Sequence, residues 1–466
     1  MRKSLTATAP AFWLALAVAG YALARFAPPL DGLSAPAQAV LGAAFAAALL
    51  WVTEAVPIGL TALIVLLLLG LCPGVRFAEA ASGFSGEVTF FLVGAIGIGA
   101  AVEGCGLAER MARFLCRSAR GSPARLYVQL IVGIPALALL IPSAITRNAI
   151  LVPAYRDALA DIGTPMGKAP RTGRAVMLTL GILNPLASSA LLTGGIVSMT
   201  AATLLGGFSW LRWFVLMAPP YYALLCGGAL VIRFLVGRLE GGEAPDAGST
   251  KPPPFSPAER RTLAVLALTA TLWLTDSLHH LSAALPALLG AGLLLCPGIG
   301  VIGWKTFEAR LSWGLILTVG TSLSLATLMT KTGAAAWLGG ILLGQLAPLS
   351  GTPRLLVAAL IVAVALVHLA ITNLAACVAI LLPINAAIAA RAGINPIVTG
   401  LILTMTIDAV ILYPVQTAAN LMAYEIGYFD RGDVARLGLG MLALVVIVAM
   451  AALPYWALLG MPLQLR

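Results

Sequence analysis

The chain has 466 residues, of which 60% are apolar and only 10% charged, and its mean hydropathy is +1.00. Soluble domains carry about 25% charged residues, so this composition excludes a string of soluble domains and requires one polytopic, all-helical membrane protein. A net charge of +10 would point a soluble protein to nucleic acid. In a membrane protein, excess Lys and Arg is what cytoplasmic loops require, and no nucleic-acid partner is expected. The six cysteines show no CxxC spacing and there are three histidines, so no zinc centre or other cofactor is expected. No Walker motif, GxGxxG-plus-acid unit or HExxH occurs, and neither ATP-driven transport nor catalysis is expected of this chain.

The start, Met1-Arg2-Lys3, lacks a small-residue cleavage site after it, so 8–26 reads as a retained first helix. Apolar stretches of spanning length follow at 36–53, 57–72, 88–110, 174–205, 211–236, 260–276, 282–297, 311–330, 398–424 and 437–462. Two more, 126–156 and 354–391, are long but interrupted by polar residues, and 237–259 is a hydrophilic linker near the midpoint. Trp13, Trp210, Trp313, Tyr455 and Trp456, close to span ends, read as interfacial anchors.

The halves resemble each other. Trp51-Val-Thr-Glu54 recurs as Trp273-Leu-Thr-Asp276, Leu71-Cys-Pro-Gly74 as Leu295-Cys-Pro-Gly298, Ala144-Ile-Thr146 as Ala370-Ile-Thr372, and Leu192-Thr193 more loosely as Gln416-Thr417. The separations are 222, 224, 226 and 224 residues, a register that single chance matches would not keep.

Basic residues then fix an expected topology. Arg110, Arg113, Arg117, Arg120 and Arg125 precede 126–156, while Arg156, Lys168, Arg171 and Arg174 end and follow it. Both clusters are cytoplasmic only if the segment enters and leaves on one side, turning at Pro142-Ser143. It is therefore expected to be a re-entrant hairpin with the octet Ile141–Asn148 at its tip, and 354–391 a second, with Thr372-Asn373 at its tip. Arg2, Lys3, Arg233, Arg238, Lys251, Arg260, Arg261, Lys305, Arg310, Arg431 and Arg436 also fall inside. The count is about eleven spans, N-terminus cytoplasmic and C-terminus outside, with the two repeats inverted. Inverted repeats with helices broken near the midplane are the architecture of secondary transporters.

Trp51-Val-Thr-Glu-Ala-Val-Pro57-Ile-Gly-Leu-Thr61, Gly104-Cys-Gly-Leu-Ala-Glu-Arg110 and Tyr413-Pro-Val-Gln416-Thr417-Ala-Ala-Asn420 followed by Gly427-Tyr-Phe resemble successive signatures of the divalent anion/sodium symporter family of carboxylate and sulfate transporters. The resemblance covers roughly 45–460. It implies a homodimer working by an elevator mechanism. Scaffold parts would be 1–125 and 260–353, transport parts 126–236 and 354–466, and 237–259 a cytoplasmic linker. It also implies substrate and sodium sites at hairpin tips that carry Ser-Asn-Thr in relatives.

This sequence departs from that pattern. The second tip keeps Asn373, with Thr372 in the serine position and Leu374 in place of threonine; Gln416, Thr417 and Asn420 remain on the facing helix. Those five polar residues form the expected second cation site, with Na+ as coupling ion. The first tip reads Ser143-Ala144-Ile145, and its sodium site would be limited to Ser143, Ser188 and Ser189. Arg147 follows, a feature resembling the citrate and 2-oxoglutarate/malate exchanger branch; a fixed guanidinium can replace part of a bound cation's charge. Expected substrate contacts are Ser143, Thr146, Arg147, Asn148, Thr193, Thr372, Asn373 and Thr417, several of which would equally serve as helix caps. Asp408, a carboxyl inside a span, could pair with Arg147, titrate as a proton-coupling group, or face a wet vestibule. His368 reads as structural. The expected function is secondary transport of a small divalent anion (a di- or tricarboxylate, or sulfate) across a bacterial cytoplasmic membrane, by sodium symport or anion exchange. The alternatives are a proton-coupled carrier using Asp408 and a membrane-embedded enzyme, which would need an acid, base or metal cluster at one membrane depth.

Overall fold

A computed structural model describes residues 10–119, 121–141, 143–163, 171–240 and 254–465. Arg2, Lys3, Arg120, Pro142, Lys168 and Lys251, used above for the charge map and the turn, lie outside the described residues. Within them every regular element is helical, and seven helices are long and apolar enough to cross a membrane.

One order of elements occurs twice. After a leading helix, Pro10–Phe26, the first copy runs Ala35–Thr53, Ile58–Gly70, Glu87–Gly104, the broken pair Pro123–Leu140 and Ala144–Asp161, a discontinuous helix ending at Leu204, and the long Trp210–Val236. The second runs Pro257–Leu274, Ala284–Leu295, Trp313–Lys331, the pair Pro353–Ala370 and Leu374–Arg391, a discontinuous helix ending at Tyr424, and Arg431–Leu458. The two copies pack reciprocally. Glu87–Gly104 lies on Ala284–Leu295, and Ile58–Gly70 on Trp313–Lys331, as a pseudo-twofold requires. Lipid tails supply no hydrophobic drive between helices, so these seams depend on close approach of small residues. Gly94 and Gly97 face Ala287 and Ala291, and Gly59 faces Gly314. Thr321 and Thr318 add hydroxyl bonds to the carbonyls of Ala62 (3.3 Å) and Ile58 (3.4 Å).

Each broken pair folds back on itself. In the first, Gly133 of one arm abuts Leu115, while Cys116, the next residue of helix Leu107–Ser118, contacts the Ala154 carbonyl of the other arm. In the second, Val357, Leu360 and Val364 of one arm line a small crevice with Asn385 of the other. The breaks are short. Ile141 and Ile371 are extended, and the helices resume after caps whose side chains accept from the backbone, Ser143 from Thr146 N at 3.2 Å and Asn373 from Ala376 N at 3.0 Å.

Several expectations change. The first tip is only Ile141 to Ser143; Thr146, Arg147 and Asn148 belong to the first turns of helix Ala144–Asp161. The tips therefore correspond by their caps, Ser143 with Asn373, not by the Ala-Ile-Thr match. The 88–110 span ends at Gly104, where left-handed Gly106 turns the chain into amphipathic Leu107–Ser118. The linker ends earlier than 259, because Ser256 and Glu259 form a capping box for helix Pro257–Leu274. Trp210 and Trp456 are not interfacial: both are buried, their indole N–H groups bonded to Thr193 and to the Leu216 carbonyl. Outside the spans, Arg76 and Lys331 hold Glu79 down to about 2, tying the short turn Phe77–Ala80 to the end of Trp313–Lys331.

The tightest crossing between the copies is Gly83, whose N–H reaches Ser324 Oγ at 2.9 Å. A Cβ there would stand 2.1 Å from the Gly320 carbonyl. Gly83→Ala is expected to lower stability by about 1–3 kcal/mol, read as a fall in melting temperature in detergent. Gly99→Ala, with open space around it, should melt like the wild type; equal melting of both variants would contradict the crossing.

Candidate functional site

The two hairpin tips and the two discontinuous helices meet in two polar centres. The first discontinuous helix runs Arg171–Leu178, widens into a π-turn over Thr179–Leu183, continues as Asn184–Ser189, breaks, and resumes at Ile196–Leu204. Pro185 cannot donate to the ladder, and Gly194 allows the chain to pass the Ser188 carbonyl, which a Cβ would meet at 1.7 Å.

Arg147 is fully buried against this helix. Its Nε donates to Asn184 Oδ1 at 2.8 Å, Nη1 to the Ile141 carbonyl at 2.7 Å, and Nη2 to the Asn184 carbonyl at 3.0 Å and Ser188 Oγ at 2.8 Å. Asn184 Nδ2 in turn donates to Asn148 Oδ1 (2.7 Å) and the Ala144 carbonyl (3.2 Å). Asn148 Nδ2 donates to the carbonyls of Leu180 and Ala419, both at 2.9 Å. One network thus ties the first tip to both discontinuous helices. Backbone carbonyls, an amide oxygen and a hydroxyl are the hard oxygens a monovalent cation takes. Here they surround a guanidinium, so the oxygens available near Ser143 and Ser188 already serve a resident positive charge. Ser143 Oγ caps its helix, and Ser188 Oγ also donates to the Pro185 carbonyl. Both hydroxyls are thus already engaged within the protein. Ser189 turns elsewhere, and Thr193 accepts from Trp210 Nε1 at 3.0 Å, inside the protein.

The second centre surrounds the break after Pro396–Ala409. Gln416 spans it: its Oε1 accepts from Leu412 N at 2.8 Å, and its Nε2 donates to the carbonyls of Val410 (3.2 Å) and His368 (3.4 Å). His368 is buried with Nδ1 on the Ile371 carbonyl at 3.1 Å. Both tip carbonyls, Ile141 and Ile371, are therefore held by a basic side chain. Thr417 Oγ1 caps Ala418–Tyr424, accepting from Asn420 N at 3.3 Å. Asn420 Nδ2 donates to the Pro414 carbonyl at 3.2 Å, but its Oδ1 is fully buried without a partner. Gly181 makes room for it; a Cβ there would lie 2.6 Å away. An orphaned carbonyl oxygen suits a cation, and in this chain only the second centre offers one among the expected cation residues. The residues grouped there from sequence are divided, however. Gln416 bears on the second hairpin and Asn420 on the first discontinuous helix.

Thr372 and Asn373 are half-buried at the second tip. Thr372 Oγ1 reaches Glu54 Oε1 at 3.4 Å, so a carboxylate from the end of Ala35–Thr53 stands against a hydroxyl expected to receive substrate. Asp408 lies in the last turn before the second break, 4% exposed, and accepts from Tyr221 Oη at 2.6 Å, with Ser189 beside both. Its hydrogen bond is to Tyr221 and not to Arg147. Sequence reasoning missed Asn184 and Tyr221. Their signals were an Asn-Pro pair inside an apolar stretch and a tyrosine following Pro219-Pro220 in mid-span.

A family model described as the sodium:sulfate symporter transmembrane region matches residues 10–462. The chain is 23% identical over 461 residues to the sodium-dependent dicarboxylate transporter SdcS of Staphylococcus saprophyticus, covering 90% of this chain and 86% of that one. It is 26% identical over 410 residues to the L-tartrate/succinate antiporter of Escherichia coli, covering 81% of each. Among solved structures, the YdaH transporter of Alcanivorax borkumensis superposes with a TM-score of 0.54 at 18% identity, over 82% of this chain and 88% of that one; that likeness concerns the fold.

The Arg147 network predicts a stability coupling. Arg147→Ala would strand the acceptors at Ile141, Asn184 and Ser188, and Asn184→Ala would leave a buried guanidinium short of partners, each costing about 2–5 kcal/mol. Both single variants are expected to melt early, and the double variant to fall short of the sum of the two losses. Strict additivity, or a wild-type melting temperature for Arg147→Ala, would remove the network from its structural role.

Proposed function

The chain belongs to the sodium:sulfate symporter family of membrane transporters, and from that premise we propose that it is a secondary carrier of small dicarboxylates that works by anion exchange or with one coupled sodium ion. The observation that carries this reading is the guanidinium of Arg147 inside a set of oxygens suited to a cation. A built-in positive charge neutralises part of a dianion at the midplane without a bound ion, and so favours exchange over multi-sodium symport. The orphaned Asn420 Oδ1 leaves room for one Na+ at the second centre. Named relatives include a sodium-dependent dicarboxylate transporter and a tartrate/succinate antiporter, which supports dicarboxylates as the substrate class.

The carrier is read as an elevator in a cytoplasmic membrane, N-terminus inside, assembled as a homodimer. Residues 1–125 and 257–353 are its scaffold, 126–236 and 354–466 its transport part, and 237–256 its cytoplasmic connection. Substrate carboxylates are taken up between the tips, at Ser143, Thr372, Asn373 and Thr417, with Arg147 and Asn148 behind the first tip fixing its charge and shape. Both tips rest on the scaffold ends that the charge map makes cytoplasmic. Thr372 lies against Glu54, and Ile141 packs with Val102, Val265 and Leu294. This supports an inward-facing state.

Proteoliposome uptake of labelled succinate, citrate and sulfate tests the function. Internal dicarboxylate is expected to stimulate uptake of at least one dicarboxylate, and with a single coupled ion the Hill coefficient for sodium should not exceed about one. No transport of any of the three, or steeper sodium dependence, would overturn the reading. Cysteines placed at Glu54 and Thr372 in a background without other cysteines are expected to cross-link and arrest exchange reversibly; undiminished exchange after cross-linking would rule out movement of the tip past the scaffold.

A further inference from the structure

We propose that Asp408 is a proton-binding site carried by the transport part, so that one proton accompanies the anion on its inward movement; this rests on the carrier reading above. The acid is buried at the seam between the discontinuous helices. Its recorded neighbours are two neutral hydroxyls, Tyr221 at 2.6 Å and Ser189. A carboxylate in such a place costs several kcal/mol unless a charge compensates it.

Among the described residues no charged group pairs with it. Helix Trp210–Val236 offers Tyr221, and Asn184–Ser189 offers Ser189 alone. Pro353–Ala370 carries Arg354 in its first turn, far from the break, and His368, which is engaged with Ile371; Leu374–Arg391 carries Cys377 and, as its last residue, Arg391. Arg431–Leu458 has its charges, Arg431, Asp433 and Arg436, in its first turns, where Asp433 pairs with Arg436 and Arg174; Ile196–Leu204 has none. The buried guanidinium of Arg147 makes its bonds to Ile141, Asn184 and Ser188.

The ligand this geometry selects is a proton and not a metal cation. Tyr221 points a donor hydrogen at Oδ2, whereas a cation needs converging lone pairs. The position also suits coupling. Asp408 precedes Val410, the residue whose carbonyl Gln416 braces at the break, so its charge acts on the unwound segment beside the anion site. An arriving dianion adds two negative charges, and proton uptake at Asp408 removes one. By reciprocity, the anion favours the proton and the proton favours the anion.

The test uses full-length protein in proteoliposomes with the membrane potential clamped, and whichever anion of the panel above exchanges best. With one proton per anion, an external pH one unit below the internal pH should drive accumulation of up to about tenfold. Asp408→Asn, which mimics the protonated acid, should lose that accumulation while counterflow exchange, which moves no net proton, falls less than about tenfold. If that variant does not fold, Tyr221→Phe serves instead, and is expected to shift the pH at which uptake is half-maximal. A wild type indifferent to the pH gradient, an Asp408→Asn protein that still accumulates anion, or an unshifted pH profile in Tyr221→Phe would each overturn the proposal. Absence of exchange in the wild type itself would instead count against the carrier reading.

Discussion

A guanidinium buried inside the helical bundle, with no carboxylate partner among the described residues, is the constraint around which this structure is arranged. Arg147 is fully buried, and burying an unpaired charge is costly unless hydrogen bonds satisfy it. Its neighbours answer that demand with one carbonyl at the hairpin-tip break and one beside the π-turn at Asn184, together with an amide and a hydroxyl. Charge and irregular backbone stabilise each other. In hydrocarbon, unwound carbonyls need donors as urgently as a guanidinium needs acceptors.

That mutual satisfaction makes the two halves of the molecule unequal in chemistry though alike in topology. In the first half the guanidinium of Arg147 takes up the oxygens of the broken backbone. In the second, Gln416 bridges the unwound segment with its own amide and Asn420 keeps an unpartnered oxygen. Asp408 stands apart from both, with Tyr221 Oη donating to it. These three features stand in separate elements, joined only because the hairpins fold back between the broken helices.

The contact between Glu54 and Thr372 belongs to the same logic at the edge of the site. A carboxylate there rests on a tip hydroxyl and joins the end of Ala35–Thr53 to the second hairpin. Its repeat partner, Asp276, instead accepts from the backbone N–H of Trp210, whose indole reaches Thr193. The matched Trp-x-x-acid motifs therefore end in different tasks at the two ends of the bundle.

The sequence by itself determined the helical membrane class, the duplication, the two interrupted hairpins and the family. All of these are written in composition, in register and in basic residues along a single chain, where hydrophobic length and charge act locally. It also singled out Arg147 and Asp408, because a charge inside an apolar stretch is conspicuous without any structure. Only the tertiary structure decided what those charges touch. Arg147 meets Asn184, 37 residues away, and Asp408 meets Tyr221 at a separation of 187. No local pattern encodes such pairings. The repeat match even misaligned the tips, because Ala-Ile-Thr falls inside a helix in one half and before the cap in the other. Hydrogen-bond partners at membrane depth are chosen by which broken backbone needs a donor, and that is known only once the helices are packed.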